Sequence, residues 1–295
     1  MKDARLRIAV TGSSGQLGQE LQWLAPLYPD MEFTFFSKQD WDITIESVNE
    51  HQLSTSQVDV VINCAAYTNV EKAEDDSESA SAANSKGPGY LATACKKHGA
   101  LLIHISTDYV FDGHQHVPYI EEDSVNPINM YGLSKLHGEQ AVDAATNRYY
   151  TIRTSWLYSR YGHNFYNTML RLADERESLR VVDDQIASPT YAKFLAEDIL
   201  HLIRLKLLDF RPIPFGVYHY TQLGETSWFG FAQEIMRINQ KTILLEAMCS
   251  AEFPTKAKRP QYSKLSTRKW EEYTSIALRT WQEGVEACRL SSSSN

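Results

Sequence analysis

The chain has no paired cysteines, no long apolar run and no excess of basic charge, and each absence excludes a class of function. Cys64, Cys95, Cys249 and Cys288 are scattered through 295 residues without a Cys-x-x-Cys pair. That spacing offers neither a zinc site nor a disulfide framework, and it suits a reducing, cytoplasmic setting. No stretch approaches the ~20 apolar residues of a membrane helix. In "LAEDILHLIRLKLL" the apolar run is broken by charges at helical spacing, as in a packed amphipathic helix. The run before Gly12 is also too short for a signal peptide's apolar core. A net charge of -8 argues against a surface that tracks nucleic-acid phosphates or an acidic membrane, so neither is expected as a partner. His114 and His116 form an His-x-His in a polar loop with no third ligand nearby, and no metal site is expected there.

What the sequence does have is alternation. "LRIAVTG", "EFTFF", "VDVVINCAA", "LLIHISTD" and "YYTIRTSW" are nearly continuous apolar runs separated by helical stretches. Strands that are apolar throughout suit a parallel sheet covered on both faces, so the expected fold class is α/β, a doubly wound Rossmann sheet. Residues 1–155 read as the dinucleotide-binding Rossmann domain. Residues 156–295 carry more loop signals, with helices near 165–177, 190–208 and 228–238. They read as a smaller, mainly substrate-binding region, part of it packing back on the Rossmann domain.

"VTGSSGQLG" sets Gly12, Gly15 and Gly18 three residues apart, directly after a strand and directly before a helical pattern. Small residues let the backbone approach a pyrophosphate, and the free N–H groups where Gln16 and Leu17 open the helix favour that anion. The second strand ends in Ser37-Lys38 rather than in an acidic residue. A cation there suits a ribose 2′-phosphate, so NADPH is expected, while Asp40 and Asp42 keep NADH open.

"YGLSKLHGE" places Tyr131 and Lys135 at i and i+4, on one face of a helix. A phenol held beside an ammonium ionises more readily than its free pKa of about 10 implies and can serve as a general acid near neutrality. Thr107 closes the strand "LLIHIST" at the carboxyl end, where ligands bind in open α/β sheets, although from type alone Ser106 fits as well. Trp156 follows a strand, where plain core is the more frequent fate of an aromatic.

Five segments, taken in order, carry a resemblance: the G-x-x-G-x-x-G loop, "NCAAYTNVEKAE" (63–74), "STDYVFDG" (106–113), "NPINMYGLSKLHGE" (126–139) and "RPQYSKL" (259–265). Together they resemble the dTDP-4-dehydrorhamnose reductases, a branch of the extended short-chain dehydrogenase/reductases, over nearly the whole chain. The resemblance implies reduction of the C4 ketone of a dTDP-4-dehydro-6-deoxyhexose by NADPH or NADH. It makes Tyr131 the proton donor and Lys135 the cation that lowers its pKa and holds the nicotinamide ribose. Thr107 becomes the second hydroxyl on the carbonyl oxygen, and Asp108 a substrate contact. Asp42-Ile43 would cover the adenine, Ala65, Ala66 and Tyr67 would line the cofactor's second half, and Asn84 would steady the catalytic helix and the cofactor. Trp156 would meet the 6-methyl group and Arg259 the diphosphate.

The sequence departs from the family at "DQIASPT", where Ala187 stands in place of the usual glycine. Magnesium bridges pairs of some relatives but has no support in this sequence, and a monomer and a homodimer both remain open. The rival readings are another nucleotide-sugar 4-reductase, epimerase or 4,6-dehydratase of the same family, and a non-catalytic regulatory subunit resembling that of methionine adenosyltransferase.

Overall fold

Five of the apolar runs become strands of one parallel sheet in a computed structural model that describes residues 5–292. They are β1 (Leu6–Thr11), β2 (Met31–Phe36), β3 (Val60–Asn63), β4 (Leu101–Thr107) and β5 (Tyr149–Thr154). A sixth strand, Gly216–His219, pairs with β5. The order across the sheet is Gly216–His219, β5, β4, β3, β1, β2, with every pair parallel. β3 and β5 are buried at every residue, as strands rich in Val, Ile and Tyr must be when both faces are covered. The chain winds outward in opposite directions from β1 and β3, so a crevice opens at their carboxyl ends.

Up to residue 238 the α-helices are α1 (Gln16–Leu24), α2 (Glu46–Ser56), the short α3 (Val70–Ala73) and α4 (Ser77–Ser81), α5 (Gly87–His98), α6 (Met130–Ala145), α7 (Phe165–Glu175), α8 (Ala192–Leu207) and α9 (Trp228–Ile238). The last three fall at the positions that periodicity predicts. Leu21 of α1 and Leu195 and Ile199 of α8 pack with Val10, Ile62 and Ile103 on one face of the sheet. Leu53 of α2, Leu91 of α5 and Val142 of α6 pack with Val61 and Leu102 on the other. The fold is therefore a doubly wound α/β sheet of Rossmann type. α8 and the sixth strand come from the second half of the chain, because the sheet needs them to cover one face and one edge. A separate apolar cluster joins α7 and α9 through Tyr166, Met169, Phe231 and Ile235.

Ala187 lies buried in a two-residue strand, Ile186–Ala187, paired antiparallel with Thr226–Ser227. Its backbone is not left-handed, so alanine fits there without strain. Among the described residues no helix is long and apolar enough to cross a membrane, and no group of three or more His, Cys, Asp or Glu is placed to hold a metal ion.

Candidate active site

The crevice is built first from glycine. Gly12 follows β1 with φ +67°, and a Cβ there would stand 2.5 Å from the Ala65 nitrogen, just past β3. Only glycine permits both the backbone turn and that approach. A Cβ on Gly18 would meet the Gly12 carbonyl at 2.6 Å, so α1 sits directly on the loop. Gly15 is the N-cap of α1 and supplies no side-chain acceptor to its first turn. The N–H groups at that helix start thus face the crevice with the positive end of the helix dipole, a cradle shaped for a pyrophosphate. The side chains of the same turn point elsewhere: Leu17 is core, and Gln16 accepts a hydrogen bond from Asn164 at 2.9 Å.

The adenosine side of the cradle is more exposed. The Lys38 side chain is 82% exposed with its ammonium 4.0 Å from Asp42. Asp42 accepts from the Thr44 N–H and hydroxyl, while Ile43 is core beside Gly87. Past β3, Ala65 donates its N–H to Asn63, and the segment continues through Ala66 to Tyr67, whose N–H and carbonyl both bond the Asn84 amide at 2.8 and 2.9 Å. Asn84 is fully buried in a π-helical turn, Ala82–Lys86, and also donates to the Ser134 hydroxyl on α6. π turns of this kind recur at functional sites. Here the turn ties the segment that lines the crevice to the helix that carries Tyr131.

α6 starts at Asn129, whose side chain caps the Gly132 N–H at 2.8 Å. It is seated by two glycines: a Cβ on Gly132 would lie 2.1 Å from the Tyr109 carbonyl oxygen, and one on Gly138 2.0 Å from that of Asn84. Tyr131, in the first turn, is half-buried, sets its ring edge-on to Tyr109 and shares a hydrogen bond with Thr107. Lys135 is buried one turn on and donates to the Ile105 carbonyl at 2.6 Å. The structure thus brings Tyr131, Thr107 and Lys135 to the carboxyl end of β4.

Their electrostatics differ from what the sequence predicts. Burial pushes the Tyr131 phenol up to about 12, Asp108 adding to the rise and the Thr107 hydrogen bond opposing it. Desolvation dominates at this phenol, and Lys135 turns one of its donors to the Ile105 carbonyl. Lys135 itself is pushed down to about 8, again by burial, with Glu139 partly restoring it. Asp108 is buried and accepts from Ser263 at 2.5 Å and Thr107 at 3.1 Å, yet desolvation outweighs these bonds and lifts its carboxyl to about 7.

Past β5, Trp156 takes a left-handed backbone, φ +46°, which is strained for an indole. Its ring is held by Trp228 stacked at 3.6 Å and 11°. Arg259 is placed against Glu71, at 2.6 Å, and the Lys256 ammonium against Asp75. A diphosphate at Arg259 would therefore compete with Glu71 for the guanidinium. Sequence reasoning passes over Trp228, Ser263 and Glu139. Glu139 left a sequence signal, standing four residues past Lys135 on the same helix face, and Ser263 lies within the "RPQYSKL" motif, while Trp228 left none.

The family model described as RmlD substrate binding domain matches residues 6–292. The chain belongs to this family. It is 39% identical to a dTDP-4-dehydrorhamnose reductase of Sinorhizobium fredii and 37% identical to one of Escherichia coli, over 95% of this chain in each case and 95% and 96% of theirs. It is also similar to a crystal structure of dTDP-4-dehydrorhamnose reductase from Bacillus anthracis in complex with NADP. That match has a TM-score of 0.92 and 38% identity, and it covers 97% of this chain and 99% of the other. Membership agrees with the five motifs and with the glycine cradle between β1 and β3.

Proposed function

We propose that this chain reduces the C4 ketone of dTDP-4-dehydro-6-deoxy-L-mannose to dTDP-L-rhamnose, drawing on NADPH in preference to NADH. The product would serve cell-surface polysaccharide synthesis. The observation that carries the reading is the convergence of Tyr131, Thr107 and Lys135 at the end of β4, beside a cradle of N–H groups that only glycine allows. Residues 1–155 would hold the dinucleotide: Gly12, Gly15, Gln16, Leu17 and Gly18 through their backbone at the pyrophosphate, Lys38 near the 2′-phosphate, and Ala65 to Tyr67 along the nicotinamide half. Residues 156–295 would mainly hold the sugar nucleotide through Trp156 and Arg259.

When bound, the reduced nicotinamide supplies the hydrogen that C4 receives. Tyr131 donates its proton to the C4 oxygen as negative charge develops there, and Thr107 turns its hydroxyl from Asp108 to the same oxygen. Lys135 holds the ribose and, while protonated, places a positive charge beside the developing anion. Trp156 gives the 6-methyl group an apolar face and keeps water from it. The enzyme would work in the cytoplasm without nucleic acid or membrane, as a monomer or homodimer.

The test follows NADPH and NADH consumption with a panel of dTDP-4-keto sugars and determines the product's configuration at C4. Net oxidation of NADPH with the rhamno product is expected. Tightly held NAD with no net consumption would instead point to an epimerase or dehydratase. Oxidation of neither cofactor by any sugar would favour a regulatory subunit.

A further inference from the structure

Glu139 is 5% exposed, and its acceptor positions are filled: Ser106 Oγ donates to Oε1 at 2.5 Å, Arg153 Nε donates at 3.0 Å and Arg153 Nη2 donates to Oε2 at 2.7 Å. Ser106 lies on β4 immediately before Thr107, and Arg153 lies on β5 with 5% of its surface exposed. Arg153 in turn stands 3.4 Å from His219 on the sixth strand. One carboxylate of α6 is thus tied to β4 and β5 and, through Arg153, to the sixth strand. A buried ion pair is a weak source of stability, since apolar residues of like volume often do as well. Its place one turn beyond Lys135 calls for another role.

The other groups that face Lys135 supply little charge. Cys64, at the end of β3, has its thiol pushed up to about 12 by burial, and His104 on β4 is held neutral by its burial. Tyr131, on α6 itself, is protonated, and Asp108 acts on Tyr131 rather than on Lys135. The π turn against α6 brings the uncharged Asn84, and Glu74 beyond α3 is engaged by the Met130 N–H at the helix start. Glu139 is the strongest negative influence on the ammonium.

We propose that Glu139 is a positioning residue for the reaction: it ties β4 at Ser106, beside Thr107, to α6 and sets a buried carboxylate one helical turn from Lys135, whose ammonium reaches the Ile105 carbonyl of the same strand. This rests on the function proposed above, so the experiment carries two readouts. The first is the pH dependence of kcat/KM for keto-sugar reduction. The second is the pH dependence of NADPH affinity, which depends on Lys135 whatever the sugar. Both are measured on the full chain for the parent, Glu139→Gln, Glu139→Asp, and Glu139→Gln combined with Arg153→Met. The last variant leaves no unpaired guanidinium and, because it removes one charge of each sign, its limb should move less than that of Glu139→Gln, which separates lost charge from lost packing.

Removing the carboxylate should move the alkaline limb of both profiles down by about one pH unit or more, and Glu139→Asp should restore most of it. A limb that stays in place while rates fall evenly at all pH values would overturn the proposal and leave Glu139 a packing residue. A parent that reduces no keto sugar would defeat the function proposed above. The affinity profile would still decide the role of Glu139.

Discussion

In the function proposed above, burial would keep Tyr131 ready as an acid. A donor in ketone reduction must carry its proton when the oxygen becomes negative, and a phenol near 12 carries it at every working pH. Tyr131→Phe keeps the ring against Tyr109 and removes only the hydroxyl that Thr107 shares. Its kcat should fall by ~100-fold or more, with unfolding free energy within about 1 kcal/mol of the parent. Turnover at the parent rate would place the acid elsewhere. Asp108 gives a prediction of opposite kind. Its carboxyl is raised to about 7, so between the ordinary carboxylate range and pH 7 the folded chain holds a proton that the unfolded chain has lost. Stability therefore falls as pH rises through that window and levels off above it. Asp108→Asn removes the cost and should stabilise the fold at pH 8 by on the order of 2 kcal/mol, with a smaller gain at pH 5 and a lower kcat/KM. Thermal melts showing the same gain at both pH values would refute the titration argument.

At the scale of elements, the site depends on how closely α6 lies on its neighbours. Gly138 leaves no room for a methyl group against the Asn84 carbonyl, so Gly138→Ala must push α6 off the π turn. A cost of about 1–3 kcal/mol is expected in denaturant unfolding, with a fall in activity because Tyr131 rides on the same helix. An activity loss without destabilisation would contradict this account of the seat. Much of the layout was legible in the sequence for local reasons. Buried parallel strands are apolar throughout, the glycine loop has its own spacing, and the i, i+4 pair fixes one helix face. What stayed hidden depends on partners far away in the chain. Nothing near Asn84 announces a π turn, because its geometry is completed by Tyr67 and Ser134. Arg259 reads as a free phosphate donor until the fold sets Glu71 beside it, and the left-handed Trp156 makes sense only with Trp228 stacked on it.

At the scale of the whole molecule, the loop after Trp156 packs against α1 from the other half of the chain. Asn164 donates to Gln16 at 2.9 Å, the Ser159 hydroxyl donates to Glu20 at 2.6 Å, and the Arg160 guanidinium lies over Trp23. Gln16 opens α1, so the amide of Asn164 helps to set where the first-turn N–H groups point. Cofactor affinity should then depend on a residue of the sugar-side half. Asn164 also caps α7 through the Asn167 N–H, and a simple truncation would confuse the two roles. Asn164→Ser keeps a capping oxygen and gives up the amide's donations to Gln16 and to the Ser159 and Tyr161 carbonyls of its own loop. NADPH binding by this variant should weaken by about 3–10-fold, and the melting temperature of cofactor-free protein should fall as well, because the loop carbonyls of Ser159 and Tyr161 lose their donor. Gln16→Leu should weaken binding to a similar degree, and the two changes together should cost no more than one alone, because both remove the same bond. Fully additive losses would mean that the two halves meet the cofactor independently, and the clasp between them would have no part in holding it.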